Sequence, residues 1–209
     1  MRNRSTIWLF VALVFVLPFA AWFGLKWYNQ YYHQLPVLSE LKQEITGKQQ
    51  VLLINQDDQT VSLDKWKDKI VVVDFFFTRC PSICPKMTNN LQRLRKQFAG
   101  DGNIQLVSIS VDPENDSSAQ LRRYAEKFKL DMQYWELLTG NKKEIYRIAR
   151  NGFKVAATDG DGGPGDFIHS EQFILLDPQL RIRGYYKGTD DDQVDQLILD
   201  IKKLKHESE

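Results

Sequence analysis

The chain reads as an α/β protein, a central mixed sheet flanked by helices and preceded by one N-terminal transmembrane helix. Three observations predict this. From residue 51 onward, strand-type and helix-type patterns alternate and end in a hairpin and a final helix, which calls for helices packed on a sheet. Residues 7–25 form an apolar run without a charge. Both cysteines, Cys80 and Cys84, stand where the first strong strand pattern gives way to the first long helical one.

Composition narrows the class. A chain of 209 residues suits one globular domain plus an appendage, and 43% hydrophobic content allows a core of normal size without disulfide stapling. With 28 basic against 27 acidic side chains and a net charge of +1, no broad basic field exists for nucleic acid, so that class is set aside. Two cysteines are too few for a disulfide framework and point to a site.

Taken in order, residues 1–6 read as a cytoplasmic tail and 7–25 as a transmembrane anchor, since about 20 apolar residues span a bilayer as a helix. Arg2 and Arg4 precede the run, which orients the tail inward and exports the rest; Trp8 at one end and Trp22, Trp27, Tyr28, Tyr31 and Tyr32 at the other suit the two interfaces. Pro18, Phe19 and Trp22 interrupt any small-x-small cleavage pattern, so we read an uncleaved anchor over a removed signal peptide. The run contains no cysteine to acylate. The expected location is the inner membrane, single-pass, with the soluble part on the periplasmic side, where thiols tend to pair unless held by metal or a reductant. Residues 26–49 read as a linker, 50–205 as the folded domain and 206–209 as a polar tail.

Within the domain, strands are expected over 51–55 and 60–63, then a helical turn or loop leading to a buried strand over 70–77, rich in β-branched and aromatic residues. Pro85 suits the first position of a helix reaching about residue 98, stopped by Gly100-Asp101-Gly102. A strand follows over 104–111. Ser117 or Ser118 caps a helix carrying Leu121, Tyr124, Ala125 and Phe128 on one face. A short strand over 134–138 precedes a helix capped by Asn141, and 152–157 is a further strand candidate. The glycine-rich stretch 158–166 reads as a mobile loop. Residues 170–176 and 180–186 form a hairpin turning at Asp177-Pro178-Gln179, and a last helix starts near Asp190. A cysteine pair after the first core strand and ahead of the first long helix is the thioredoxin-like arrangement.

The chemistry centres on that turn. Thiols at a helix N-terminus feel the positive end of the dipole, which favours the thiolate that binds metal or attacks a disulfide. Three residues separate Cys80 from Cys84, one more than in Cys-x-x-Cys oxidoreductases. That spacing can close a disulfide, or leave both sulfurs facing one soft ion such as Cu(I), zinc or an iron–sulfur cluster. Of three histidines, His33 falls in the linker and His206 in the tail; His169 lies between the glycine-rich loop and a strand. His169 is either a third ligand or a strand cap. Met87 reads as packing, Asp74 as a buried carboxylate of functional or structural kind, and Arg79 as a thiolate-favouring or solvated charge. Asp112, Glu114 and Asp116 read as turn and cap chemistry in preference to a hard-cation site.

Three segments together resemble the Sco/SenC copper proteins. Thr78-Arg79-Cys80-Pro81-Ser82-Ile83-Cys84-Pro85 is similar to their Cys-x-x-x-Cys-Pro motif, Ser110-Val111-Asp112-Pro113 to their Ser-Val-Asp-Pro segment, and His169-Ser170 with Asp177-Pro178 to their histidine segment. Ile168 stands where many relatives carry an aspartate, with Asp166 further back. The resemblance implies a thioredoxin fold and one copper, as Cu(I) and also as Cu(II), held by Cys80, Cys84 and His169. It also implies delivery of copper to, or reduction of the cysteines of, the CuA site of cytochrome c oxidase subunit II, with a thiol reductant as a further partner. On this reading the chain is a metallochaperone and not an enzyme. The alternative is a thiol–disulfide oxidoreductase of the thioredoxin or peroxiredoxin-like type, with Cys80 and Cys84 as its redox-active pair.

Overall fold

The computed structural model describes residues 8, 11–32, 34–41, 51–155 and 170–208, in two units, Met1–Gln34 and Leu35–Glu209. His33, His169 and the expected loop over 158–166 lie outside the described residues. In the first unit a π-helical turn, Ala12–Val16, runs into a helix, Leu17–Tyr32 (α1). Phe15 of the turn and Phe19, Trp22 and Phe23 of the helix stand exposed.

Among the described residues no helix is long and apolar enough to cross a membrane, which departs from the spanning helix expected over 7–25. Trp8 and Val11 are helical ahead of the π-helical turn, and the helix that follows it reaches past the apolar run into Lys26, Asn29 and Gln30. Residues 7, 9 and 10 of the expected span lie outside the described residues.

The second unit is built on one eight-stranded sheet. Its strands are Ser39–Glu40 (β1), Leu52–Asn55 (β2), Thr60–Ser62 (β3), Ile70–Phe76 (β4), Ile104–Ser110 (β5), Trp135–Thr139 (β6), Gln172–Leu176 (β7) and Arg181–Lys187 (β8). Their order is β1-β8-β7-β4-β5-β6-β2-β3. β4, β5 and β6 run parallel, and the remaining pairings are antiparallel, so the sheet is mixed as expected. Parallel neighbours require crossovers, supplied by the helices Ile83–Gln97 (α2) and Ser118–Phe128 (α3). A short helix, Lys142–Arg147 (α4), and a long one, Asp191–Ser208 (α5), complete the domain.

β4 and β5 are buried at every position, as strands covered on both faces must be. Alternation divides their side chains between two cores. Val71, Val73, Phe75, Val107 and Ile109 pack with Trp66, Tyr146 and Phe153 on one face. Ile70, Val72, Phe76 and Leu106 meet Met87, Leu91 and Leu94 of α2, Leu121 of α3 and Leu197 and Ile201 of α5 on the other. Met87 is therefore packing.

Local chemistry explains the punctuation. Ser117 caps α3, its hydroxyl accepting from the Gln120 N–H, and Asn141 caps α4 in the same way. Gly100 adopts φ +78°, the left-handed conformation that lets the chain turn after α2. Two sequence expectations shift. Residues 152–155 are not a strand, because a π-helical turn, Ile148–Gly152, extends α4 and Lys154 takes a positive φ. Within the stretch read as linker, Ser39–Glu40 forms β1 on the edge of β8, with the Leu38 N–H donating to the Ile182 carbonyl at 2.8 Å.

Candidate functional site

The parallel register that pairs Phe76 with Ser110 brings the ends of β4 and β5 side by side, and the cysteine turn grows from that edge. After β4 the chain passes through Thr78 and Arg79 to Cys80, and α2 opens at Ile83. Sequence spacing assigned Pro85 to the first helical position. The structure starts the helix two residues earlier, so Pro85 is third, where its missing N–H is still one that the helix cannot bond internally. Cys84 consequently lies inside the first turn. Ser82 occupies the N-cap without a side-chain capping bond, and the Cys84 N–H donates to the Cys80 Sγ at 3.4 Å. A sulfur thus stands in for the capping oxygen.

This makes the two thiols unequal. Both are unpaired; Cys80 is half-buried and Cys84 buried. Partial burial pushes the Cys80 pKa up, but the backbone N–H groups of Cys84, Ser82 and Ile83 together outweigh it and hold the thiol below its ordinary value. Burial pushes Cys84 up to about 12, against a backbone hydrogen bond from Phe77, and the Cys80 sulfur and the Asp74 carboxylate add to the rise. The solvent-facing sulfur is the readily ionised one.

The thiols line a cleft of about 280 Å³ with Phe75, Phe77, Pro81, Ile83 and Val111 as apolar walls and Ser170 and Glu171 at its rim. Beneath it, Asp74 is fully buried; burial raises its pKa to about 7 although Ser108 donates a hydrogen bond to it. Trp135 Nε1 donates in turn to Ser108 Oγ at 2.9 Å, and Thr88 and Tyr124 share a hydroxyl bond of 2.8 Å behind Cys84.

The acidic segment holds the turn from the other side. Asp112 pairs with Arg79 at 3.2 Å, which answers for that exposed cation, and accepts from the Asn115 side chain. Asp116, fully buried, accepts from the Thr78 N–H at 3.0 Å, the Thr78 hydroxyl at 2.5 Å and the Ser110 hydroxyl at 2.6 Å. Sequence reading placed Asp116 in turn and cap chemistry but missed Thr78. The signal was available in principle: once β4 and β5 are parallel neighbours, the residues that follow them must meet. Among the described residues no three His, Cys, Asp or Glu side chains cluster to hold a metal. Cys80 and Cys84 are brought together; His206 is exposed on α5, and the third expected ligand, His169, lies outside the described residues.

Fold and site together define a thioredoxin-like domain with a dithiol at the N-terminus of its first long helix. The family model SCO1/SenC matches residues 40–206, and the chain belongs to that family. It is 35% identical over 150 residues to the SCO1 protein homolog of Bacillus subtilis, covering 71% of this chain and 77% of the relative. The solved structure of BsSco, described as having a disulfide switch and as a member of the Sco family of cytochrome c oxidase assembly proteins, superposes with a TM-score of 0.67. That match has 31% identity and covers 82% of this chain and 96% of the other. ScoI of Arabidopsis thaliana with copper bound gives a TM-score of 0.59 at 26% identity, over 73% of this chain and 96% of the other.

Proposed function

We propose that the chain is a copper-binding assembly factor for cytochrome c oxidase, taking copper as cargo on Cys80, Cys84 and His169. The dithiol carries the reading. One thiol is solvent-facing and readily ionised, the second stands beneath it, and two soft donors at one helix N-terminus suit Cu(I) above hard cations. A third donor from His169 is supported by its chain neighbour Ser170, which lines the cleft beside both sulfurs. Relatives described as copper-bound and as cytochrome c oxidase assembly proteins support the cargo and the oxidase; the destination within it that we propose is the CuA site of subunit II. Cu(II) is a second form of the cargo, and a thiol reductant restores the pair after oxidation. Residues 7–25 anchor the domain in the inner membrane, leaving the dithiol on the periplasmic side; the charge-free run and the exposed aromatic side chains along it support this.

The test is copper binding by the reduced chain. One copper per chain is expected, with affinity reduced at least about 100-fold in His169→Ala and abolished when Cys80 and Cys84 are oxidised to a disulfide. Transfer to a soluble CuA domain, followed by its absorption, tests delivery. Unchanged affinity in His169→Ala would remove the histidine from the site. The unequal thiols also favour a second reading, thiol–disulfide exchange with Cys80 attacking and Cys84 resolving. That activity needs no histidine, and reduction of a disulfide substrate by the metal-free His169→Ala chain identifies it.

A further inference from the structure

A buried carboxylate aimed at the cysteine turn from a different element needs a reason to be there. Asp116 is 0% exposed. Among the described residues no Lys, Arg or His bonds its carboxylate; its partners there are one backbone N–H and two hydroxyls. A polar group taken out of water is costly unless it is hydrogen-bonded. Two of the three donors belong to Thr78, two residues before Cys80, and Gln120 of α3 adds a bond of 3.2 Å to the same hydroxyl. The third donor, Ser110, also accepts from the Asp112 N–H at 3.1 Å, and Asp112 pairs with Arg79. Both residues that precede Cys80 are therefore fastened to the segment between β5 and α3, one directly by Asp116 and the other through the Ser110–Asp112 relay.

We infer that Asp116 is a positioning residue for the dithiol: it fixes where the turn leaves β4, and so holds the Cys80 sulfur over the N–H groups that open α2. This rests on Cys80 and Cys84 being the working pair, and it adds a role for a residue that touches neither sulfur. The Cys84 N–H to Cys80 Sγ contact, at 3.4 Å, depends on both distance and angle, so a displaced turn weakens it. Loosening the anchor carries the sulfur away from its donors.

Positioning and a purely global role differ in where they are read. A residue that only stabilises the fold changes exchange at every core amide alike, whereas a lost anchor frees the turn first. The experiment follows amide hydrogen exchange of the Cys84 N–H against the Leu91 and Leu94 N–H groups of α2 in the reduced, metal-free chain, alongside its thermal midpoint. Asp116→Ala leaves three donors without an acceptor and is expected to speed Cys84 exchange about tenfold relative to that reference. Asp116→Asn keeps one acceptor oxygen and is expected to fall between it and the parent. Thr78→Val deletes one hydroxyl bond, leaves the carboxylate in place and is expected to speed the exchange about threefold; it and Asp116→Asn carry the test if Asp116→Ala does not fold. An unchanged ratio of Cys84 to reference exchange in folded Asp116→Asn and Thr78→Val overturns the inference, whatever happens to the midpoint. Copper plays no part in this measurement, so a failure of the cargo reading leaves it intact.

Discussion

Replacing Asp74 with Asn should remove a large part of the pH dependence of folding. Asp74 is buried in β4, and burial lifts its pKa from 3.8 to about 7 despite the Ser108 hydrogen bond. A carboxyl whose pKa is higher folded than unfolded holds its proton more tightly in the native state. Its stabilising contribution is complete below the unfolded value of 3.8 and is lost as pH rises through the folded value of about 7. Each pH unit inside that window costs about 1.4 kcal/mol. Between pH 5 and pH 8 the parent chain therefore loses about 3 kcal/mol through this one residue. Asn copies the shape of the protonated acid, can accept the Ser108 hydroxyl and does not titrate. The titratable neighbours Cys84 and Tyr124 are both pushed up by burial and stay neutral through pH 8. Urea unfolding of both reduced, metal-free chains at pH 5 and pH 8 measures the effect. The stability difference should move in favour of Asp74→Asn by about 3 kcal/mol across that interval. An identical difference at the two pH values refutes the argument, because it would mean that Asp74 titrates alike in the folded and unfolded states.

Two further predictions follow from named contacts. Limiting iodoacetamide at neutral pH should label Cys80 well before Cys84, whose pKa is raised to about 12 and whose side chain is buried, as peptide mass spectrometry after digestion would show; equal labelling would contradict the inequality of the thiols. Arg183→Met should cost about 3 kcal/mol in chemical denaturation, because it strips the buried Asp177 of a partner at 3.0 Å and Glu207 of one at 2.8 Å. Asp177 keeps Arg181 at 2.7 Å, which limits the loss. Arg183 borders a cleft at the Ile70 end of β4, away from the thiols, so Cys80 alkylation should not change.

The parts of the fold that were legible were those with short-range signatures. The buried run of β4, the cap residue Asn141, the serine pair of which Ser117 is the cap, and the Asp177-Pro178-Gln179 turn each identify themselves through local pattern. What eluded the sequence depends on partners far along the chain. β1 is two residues long and exists because the Ile182 and Leu180 carbonyls accept from Leu38 and Leu41. The start of α2 at Ile83 was hidden because Pro85 fits either the first or the third position, and only the Cys80 sulfur taking the capping bond decides between them. Cys80 and Cys84 announced the site by type and spacing. Thr78 and Asp116 did not, since a threonine and an aspartate acquire meaning only when parallel pairing of β4 and β5 sets them side by side.

The inequality of the thiols gives the site an order of events. Cargo that binds both sulfurs must displace the Cys84 proton, and at pH 7 that proton is held firmly by a thiol whose pKa is about 12. On the copper-cargo reading proposed above, Cys84 would be the ligand most readily returned to its protonated form, and release would begin there while Cys80 still held the ion. An incoming partner thiol would then take the vacated position without the ion being free in solution. Disulfide chemistry uses the same asymmetry in reverse: Cys80, the better thiolate, attacks, and Cys84 ionises only as it closes the internal disulfide. The two readings share Cys80 as first contact and part at His169. A His169→Ala chain that loses copper yet still reduces a disulfide substrate assigns the histidine to cargo alone; one that loses both couples the two activities through a single site.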